Sequence, residues 1–412
     1  MQERIVITGM GTVNPLGLNV AETWKNVVSG VSGVARITLF DSTPLNVHIA
    51  AEVKNFNPED FMDAKESRRR DRFEQFGVTA AKEALTQSGL KITEQNAGRI
   101  GVIISSAIGG LKSLQDAILI NHLEGPRKVS PFLIPMLMSN GAAGMTAIDF
   151  GIKGPGFSIA SACASGADGI GMAAMMIRTG MIDAALAGAA ESTLTSTGVA
   201  AFDRVGATSR RNDDYSMTPQ PFDKNRDGLV MGEGAGVLML ERESYAKARG
   251  AMILAELAGY GATSDAYHVT APHENGEGGA AAIRMALASA EANYEDVGYI
   301  NAHGTGTLLN DQAETRAVKG VFGEAAYKIP ISSTKSMTGH MMGATGALEA
   351  IFCALAIRDG VLPPTIHYET PDPECDLDYI PNKAREQKIK LAISNAFGFG
   401  GHNAVLAVRK YD

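Results

Sequence analysis

The chain carries two series of five strand-like segments, and corresponding segments occur in the same order in both series. Each segment is a short apolar run bounded by Gly, Ser or polar residues, which is typical of buried strands in an α/β sheet. The first series is 4–8, 99–104, 156–160, 184–188 and 236–240, and the second is 253–257, 297–300, 329–333, 391–394 and 404–408. This repetition predicts an internal duplication of two α/β halves, residues 1–250 and 251–412, related by a pseudo-twofold axis.

The third segment of each series is followed by a reactive residue and then by a stretch rich in Gly and Ala. Cys163 precedes the stretch 164–174, and His340 precedes the corresponding stretch 341–350. Helices this rich in Gly form poorly on their own, so we expect the two to pack closely against each other in the centre of the molecule. The first half also carries longer insertions, at 105–150 and 190–235. Insertions of that length tend to cap a site or build an interface.

Composition excludes several classes of protein. The 412 residues include 46 Gly and only 6% aromatic residues, which favours tightly turned α/β layers. A net charge of −8 argues against general nucleic-acid binding. Three cysteines are too few for a disulfide scaffold and indicate a reducing compartment. We see no signal peptide and no uninterrupted apolar run of about 18 residues, so we expect a cytoplasmic protein without membrane insertion.

Cys163, His303 and His340 are the candidate catalytic residues. Cys163 lies between a predicted strand and a predicted helix, where free N–H groups and the helix dipole are expected to lower its pKa. A thiolate there would suit nucleophilic attack on an acyl group. The two histidines lie in Gly- and Thr-rich turns, where the backbone can approach a ligand closely. We interpret Cys353, Cys375, His48, His122 and His367 as structural, and leave His268, His273 and His402 open.

Two further features could complete such a site. Lys335 could orient it if a carboxylate lies beside the ammonium group, and Glu314 is the candidate partner. The Phe-Gly-Phe-Gly-Gly turn at 397–401 could present N–H groups as an oxyanion hole, or it could be a plain hairpin turn. No zinc-type spacing and no phosphate-binding GxxxxGK loop is apparent.

These residues together resemble the β-ketoacyl-acyl-carrier-protein synthases, the condensing enzymes of fatty-acid synthesis, and most closely the elongating members. The resemblance covers nearly the whole chain, from the motif at 6–11 to the turn at 397–401, and includes 221–228, 232–236 and 264–268. It implies a duplicated thiolase-like fold in α-β-α-β-α layers. It also implies a homodimer, acyl carrier protein as the partner, and no required cofactor.

The resemblance assigns roles to individual residues. Cys163 would accept an acyl chain as a thioester, and His303 and His340 would assist decarboxylation of malonyl carrier protein and stabilise the enolate. Lys335 and Glu314 would support them. The N–H groups of Cys163 and Phe399 would form the oxyanion hole, and the Phe399 ring would gate the pocket. Thr270, Thr305 and Thr307 would contact the pantetheine arm, and Ile108 would line the narrow part of the acyl pocket. A monovalent cation would be bound by Asn301, Glu349, Ser394 and Asn395.

Three departures from the family pattern concern the carrier and the chain length. Gly306 stands where Ser is common, as it does in polyketide ketosynthases, and His402 replaces a commoner Thr. Gly206 lies where a basic docking residue is common, with Arg204 nearby. An acidic enzyme with an acidic carrier needs a local positive patch. Its candidates, which could also be ordinary solvated charges, are Lys65, Arg68, Arg69, Arg127 and Lys128.

Three alternatives remain open from the sequence. A ketosynthase of a type II polyketide or aryl-polyene pathway would share the chemistry and differ in the acyl chain. A thiolase-like enzyme using coenzyme A is disfavoured by His340, because a Cys-His-Asn site would be expected there. A catalytically silent partner subunit is disfavoured by Cys163, because chain-length-factor relatives lack the nucleophile.

Overall fold

The structure, a computed structural model, describes residues 3–412 and contains one large mixed sheet flanked and filled by helices. Its strands are β1 (Ile5–Val13), β2 (Ala35–Arg36), β3 (Ile49–Ala50), β4 (Ile100–Ser105), β5 (Gly156–Phe157), β6 (Ala184–Glu191), β7 (Gly234–Arg242), β8 (Ala255–Ser264), β9 (Val297–Asn301), β10 (Ile331–Ser332), β11 (Val361–Leu362), β12 (Arg385–Glu386), β13 (Leu391–Gly398) and β14 (His402–Arg409). Its α-helices are α1 (Val20–Val28), α2 (Ala64–Ser67), α3 (Arg72–Ser88), α4 (Leu111–Glu124), α5 (Leu133–Leu137), α6 (Gly141–Phe150), α7 (Ser165–Arg178), α8 (Ser196–Val205), α9 (Glu243–Ala248), α10 (Glu277–Ser289), α11 (Leu308–Phe322), α12 (Lys335–Thr338) and α13 (Thr345–Asp359).

The two halves of the large sheet have the same strand order. From the centre outwards, the first half runs β1-β7-β6-β4-β5 and the second runs β8-β14-β13-β9-β10. In each half this is the first, fifth, fourth, second and third strand along the chain. The halves join where β1 and β8 pair antiparallel, with Val6 opposite Glu256. The predicted duplicated α/β fold is confirmed. The division at residue 250 stays a proposal, which the start of β8 at Ala255 supports.

All ten predicted strands are present, and most of them extend beyond their predicted ends. The third strand of each series is the exception, because β5 and β10 have only two residues each. The chain leaves the ladder early where side chains capture the backbone. Ser333 N–H donates to Thr365 Oγ1 (2.9 Å), and Ile159 N–H donates to Ser105 Oγ (3.4 Å). These early exits release the chain into the turns that carry Cys163 and His340.

The two Gly- and Ala-rich stretches form α7 and α13, which pack against each other inside the core as predicted. A Cβ built on Gly166 would lie 2.7 Å from the carbonyl oxygen of Gly343, and one on Gly346 would lie 3.2 Å from the backbone nitrogen of Ala167. Glycine is therefore required here for close approach, and its low helix propensity is offset by the burial that the approach allows.

The correspondence between the halves differs from the sequence prediction, which aligned Cys163 with His340. Ala162 (φ 52°) and Met342 (φ 45°) are both in the left-handed region, and each begins a single 3-10 turn that leads into a helix, α7 or α13. Cys163 therefore corresponds to Gly343. The prediction was wrong because it aligned the reactive side chains, whereas the repeated feature is the backbone turn.

The insertions of the first half are helical. Residues 105–150 form α4, α5 and α6, and α8 lies within 190–235. Several apolar side chains of the first insertion are exposed, among them Leu123 (76%), Ile134 (61%) and Ile148 (73%). Within residues 3–412, none of the helices combines the length and the hydropathy needed to cross a membrane.

Replacing Gly166 by Ala should lower the free energy of unfolding by about 1–3 kcal/mol, because the added methyl group meets backbone atoms rather than a flexible side chain. The matched control is Gly144→Ala in α6, where a Cβ would meet nothing within 4 Å. That change should be neutral or stabilise by up to about 1 kcal/mol, as expected from helix propensity. Urea unfolding of the two variants measures both effects, and equal stabilities would contradict the close packing of α7 on α13.

Candidate active site

The structure brings the three candidate catalytic residues into one buried cluster. Cys163 lies in the 3-10 turn before α7, His303 follows β9, and His340 lies between α12 and α13. His340 Nε2 is 3.1 Å from Cys163 Sγ. The His303 and His340 rings have centroids 5.4 Å apart and stand nearly perpendicular. A thiol and two imidazoles therefore face the same small space.

Burial determines the protonation state of the thiol. It raises the pKa of Cys163 to about 12 and outweighs the Lys335 charge and the N–H groups of Phe399 and Cys163, which lower it. The sulfur belongs to an apolar cluster that includes Leu194 and Met342. The expected lowering of this pKa by the helix N-terminus is therefore wrong for the substrate-free site. The resting group is a thiol, and a base must take its proton.

Both histidines are neutral at pH 7. Burial, followed by the positive charge of Lys335, lowers the pKa of His303 and of His340 well below the usual 6.5. Thr345 Oγ1 lies 3.0 Å from His340 Nδ1. Because a hydroxyl both donates and accepts, Thr345 can serve either tautomer of His340. His340 Nε2 can therefore accept a proton from the thiol or donate one to a substrate oxygen.

Lys335 is paired with Glu349, and the predicted pairing with Glu314 is wrong. Lys335 Nζ lies 2.7 Å from Glu349 Oε1, and both side chains are almost fully buried. Glu314 instead accepts the backbone N–H groups of His303 (2.8 Å) and Gly304 (2.7 Å). Glu314 therefore holds the His303 turn in place and does not touch the reacting atoms. Lys335 lies in α12 and Glu349 lies in α13. Because the two residues are on different helices, their spacing in the sequence did not indicate this contact.

The proposed cation ligands fit a monovalent cation. Asn301, Glu349, Ser394 and Asn395 are all buried, and an oxygen of each has no hydrogen-bond partner within residues 3–412: Asn301 Oδ1, Glu349 Oε2, Ser394 Oγ and Asn395 Oδ1. Asn301 and Ser394 are also direct partners in the β9–β13 ladder. Buried oxygens left unpaired are costly, and carboxylate, amide and hydroxyl oxygens are the ligands that hard cations prefer.

The turn at 399–401 connects β13 to β14 as a tight hairpin, with Gly398 opposite His402. Phe399 N–H and Cys163 N–H both lie close enough to Sγ to lower the pKa of the thiol. Gly398 is needed here, because a Cβ would lie 2.9 Å from the backbone nitrogen of Cys163. The Phe399 ring stacks on Phe202 with centroids 6.2 Å apart. The turn is thus both a hairpin and a source of N–H groups beside the nucleophile.

A cavity of about 260 Å³ connects this cluster with the protein surface. Cys163 and both histidines line it, together with Phe399 and the three threonines predicted to contact the pantetheine arm, Thr270, Thr305 and Thr307. Ile108 does not line this cavity and is 41% exposed, so its predicted place in an acyl pocket stays a prediction.

One contact links the segments that carry the two predicted basic clusters. Lys65 and Arg68 are exposed beside α2, and Arg127 and Lys128 are exposed in a 3-10 turn after α4. The Arg69 guanidinium lies 4.6 Å from the centre of the Phe132 ring, which joins the two segments. None of these five basic residues lines the cavity.

Several residues that stabilise the site through hydrogen bonds were not predicted from the sequence. Glu191, fully buried at the end of β6, accepts hydrogen bonds from Ser106 Oγ (2.8 Å) and from the N–H groups of Ala107 (2.8 Å) and Gly343 (3.1 Å). It thereby ties the turn after β4 to the turn after His340. Its signal was a single carboxylate at the end of an otherwise small-residue strand, Ala184–Glu191.

A second group that was not predicted supports the turn that carries Thr305 and Thr307. Asp311 accepts the N–H of Gly306 (3.3 Å), and Arg226 donates to the carbonyl of Leu308 (3.3 Å). Arg226 also pairs with Asp372 (2.6 Å) in the interior. Arg226 lies within the motif 221–228, but Leu308 and Asp372 are far away in sequence, and these contacts could not be predicted from the motif.

Comparison with known proteins agrees with this geometry. A family model described as "Beta-ketoacyl synthase, N-terminal domain" matches residues 2–246, and one described as "Beta-ketoacyl synthase, C-terminal domain" matches residues 254–369. The chain is 50% identical over 410 residues to 3-oxoacyl-acyl-carrier-protein synthase 2 of Staphylococcus aureus (strain COL), covering 100% of this chain and 99% of the relative.

Solved structures give the same fold over the whole chain. The ishigamide ketosynthase/chain length factor superposes with a TM-score of 0.94 at 35% identity, covering 100% of both chains. A type II polyketide synthase acyl-carrier protein in complex with its ketosynthase gives a TM-score of 0.92 at 35% identity, again covering 100% of both chains. The chain therefore belongs to the β-ketoacyl synthase family and has the duplicated thiolase-like fold of its condensing enzymes.

Proposed function

We infer that the chain catalyses decarboxylative condensation of an acyl-carrier-protein thioester with malonyl carrier protein, the elongation step of type II fatty-acid synthesis. The observation that carries this is a buried thiol 3.1 Å from one of two neutral imidazoles, in a cavity that opens to solvent. The relative with 50% identity over the full chain is named for this reaction. The products would be 3-oxoacyl carrier protein, CO₂ and free carrier protein.

In the first step, Cys163 takes the acyl group. The thiol proton passes to His340 Nε2 as the sulfur attacks the thioester carbonyl, and His340 then returns that proton to the leaving pantetheine thiolate. The N–H groups of Cys163 and Phe399, which both interact with Sγ, would receive the negative oxygen of the tetrahedral intermediate. Such preorganised donors act strongly in a site that excludes water. The acyl chain is now bonded to Sγ, and the free carrier departs.

In the second step, the malonyl thioester loses CO₂ and its C–C bonding electrons form an enolate. His303 and His340 each offer one N–H to the thioester oxygen, and because both rings are neutral they do so without releasing a proton. The enolate carbon attacks the acyl carbonyl on Cys163, and the sulfur leaves as a thiolate. That thiolate takes up one proton from solvent through the open cavity, which replaces the proton that left with the free carrier in the first step. Lys335 and Glu314 support this step by fixing the charge and position of the histidines.

A monovalent cation held by Asn301, Glu349, Ser394 and Asn395 would supply structural charge rather than chemistry. It would satisfy the unpaired oxygens of these residues. Because Glu349 Oε1 binds Lys335, a ligand at Oε2 would fix the ion pair that sets the charge of the catalytic site. No soluble cofactor is part of the proposal.

The polyketide alternative has one point in its favour. One of the two superposed structures is a type II polyketide synthase acyl-carrier protein in complex with its ketosynthase, but it shares only 35% identity with this chain. The fatty-acid relative shares 50%. A silent subunit is disfavoured because Cys163 is present and lies within hydrogen-bonding distance of His340.

We further propose a homodimer. The insertion at 105–150 leaves several large apolar side chains exposed on neighbouring elements, and patches of this kind mark protein interfaces. The side chains proposed to pack against the second copy are Ile108, Ile118, Leu119, Leu123, Ile134, Met138 and Ile148. A second copy of the chain is the occupant that the resemblance implies.

The carrier protein is proposed to dock on the basic surface formed by Lys65, Arg68, Arg69, Arg127 and Lys128. Support comes from the Arg69–Phe132 contact, which links the segments that carry the two clusters, and from the solved complex of a related ketosynthase with its acyl-carrier protein. Phe399 is proposed to gate the cavity, supported by its place beside Gly400 (φ 82°) and Gly401 (φ 73°), where a turn can change shape at small cost.

Condensation reconstituted from purified components tests the proposed function. With acyl carrier proteins of graded length and malonyl carrier protein, the protein should form 3-oxoacyl carrier protein from saturated long chains. Cys163→Ala should reduce product more than about a thousandfold, because a covalent nucleophile cannot be bypassed, while malonyl decarboxylation persists. Product formation by Cys163→Ala would refute the covalent role. Decarboxylation without condensation on any saturated chain would favour the polyketide alternative.

Charge reversal tests the docking surface. The double variant Arg68→Glu/Arg69→Glu should raise the apparent KM for carrier-borne substrates about tenfold and leave the rate of Cys163 alkylation by iodoacetamide unchanged. Lys388→Glu/Lys390→Glu, which changes two exposed cations elsewhere by the same net charge, is the matched control. Equal KM values for both double variants would show that the basic surface does not receive the carrier.

A further inference from the structure

The opening of the catalytic cavity is ringed by apolar side chains from separate segments. Val205 ends α8, and Leu308 and Leu309 begin α11. All three line the cavity and yet remain 51%, 54% and 58% exposed, whereas Cys163 at the inner end is buried. A residue that both lines a cavity and faces solvent lies at its mouth. We name these three residues the apolar rim.

The charges around the apolar rim are few. Asp265 is the only charged residue among those that line the cavity, and its carboxylate is occupied by Asn403 Nδ2 (2.7 Å) and the backbone N–H of His273 (3.0 Å). No Lys or Arg of residues 3–412 lines the cavity, and Gly206 stands beside Val205. The nearest exposed cation along the chain is Arg204. The mouth therefore offers burial of apolar surface rather than ion pairs.

The occupant of the apolar rim follows from the direction of substrate entry. The cavity connects this mouth with Cys163. When a protein-bound arm enters here, the carrier surface around the arm's attachment point lies over the rim. Exposed apolar side chains gain free energy when another apolar surface covers them. We propose, building on the proposed function, that the apolar rim binds apolar side chains next to the arm on the carrier protein, as a second docking area distinct from the basic surface.

This division separates two kinds of recognition. The basic surface attracts an acidic carrier over a distance and depends on ionic strength. The apolar rim contacts the carrier only after docking and selects for shape and hydrophobicity near the arm. A carrier with a charged residue in that place would have to bury the charge against Val205, Leu308 and Leu309, which is unfavourable.

Leu309 allows a clean test, because it lies in the first turn of α11 and half of its surface is exposed. An acidic residue in the first turn of a helix does not weaken the helix. Leu309→Asn and Leu309→Asp have nearly the same shape, and only Asp adds a charge. If the rim acts by apolar burial, both substitutions should raise the KM for acyl carrier protein about tenfold. Leu309→Met keeps an apolar side chain and should leave this KM at the parent value. An increase with Asp alone would show charge repulsion and overturn the proposal.

The carrier-free substrate separates docking from catalysis. With the same acyl group on pantetheine alone, the KM values of all three variants should equal that of the parent protein, and an equal rise there would place the rim in the arm channel instead. Met252→Asp is the control, because Met252 is 76% exposed and lies far from the cavity. Met252 precedes β8, and it is the opposite end of β8, at Ser264, that pairs with His402 beside the turn at 399–401. Unchanged KM for the carrier substrate in Leu309→Asn would also overturn the proposal.

Two other outcomes have their own readouts. Sedimentation equilibrium should give the same mass for Leu309→Asp and the parent, and dissociation would mean that the rim belongs to a subunit interface. If the parent protein condenses neither carrier-borne nor carrier-free thioesters, the proposed function fails, whereas failure of the rim proposal leaves that activity intact.

Discussion

The buried ion pair between Lys335 and Glu349 is the interaction on which the catalytic site depends. Two charges removed from water cost several kcal/mol each unless they are paired closely, and here they lie 2.7 Å apart. The pair places one positive charge beside His303 and His340, and this charge adds to burial in lowering the pKa of both rings. An ammonium group there also opposes the burial that raises the pKa of Cys163. One ion pair therefore influences three reactive groups.

The duplication explains why those groups meet. Each half delivers a turn from the end of its third strand into the centre, and the close approach of α7 and α13 brings the two turns together. The equivalent of Cys163 in the second half is Gly343, where a Cβ would lie 2.6 Å from Glu191 Oε2. The second half thus uses that position to bind Glu191 through its N–H, and it contributes His340 from the preceding turn. The nucleophile Cys163 and the base His340 are therefore both positioned by the same type of 3-10 turn, which occurs once in each half.

Much of this arrangement was predictable from the residues. All ten strands, the duplication, the central pair of small-residue helices and the Cys163–His303–His340 cluster follow from periodicity and from Gly-rich turns. The Glu349 partner of Lys335 was not predictable, because Glu349 lies in a fully buried helix where neither spacing nor amphipathicity indicates its direction. The pKa of Cys163 was misjudged because the sequence showed a helix start and not the apolar cluster around the sulfur. Glu191 left one signal, a lone carboxylate at the end of β6, but the backbone N–H groups that it and Asp311 bind could not be identified from the sequence.

Burial and the Lys335 charge keep both histidines neutral throughout the physiological range. The most direct test is the pH dependence of malonyl decarboxylation by Cys163→Ala, in which no thiol titrates at residue 163. A lowered pKa means that the neutral form persists well below pH 6.5, so the rate should stay level from about pH 8 to about pH 5.5. A midpoint near 6.5 in both the rate and the ring NMR shifts of His303 or His340 would show an ordinary imidazole at work and would contradict the account. The ring shifts are needed because burial raises the pKa of the Glu349 carboxyl to about 7.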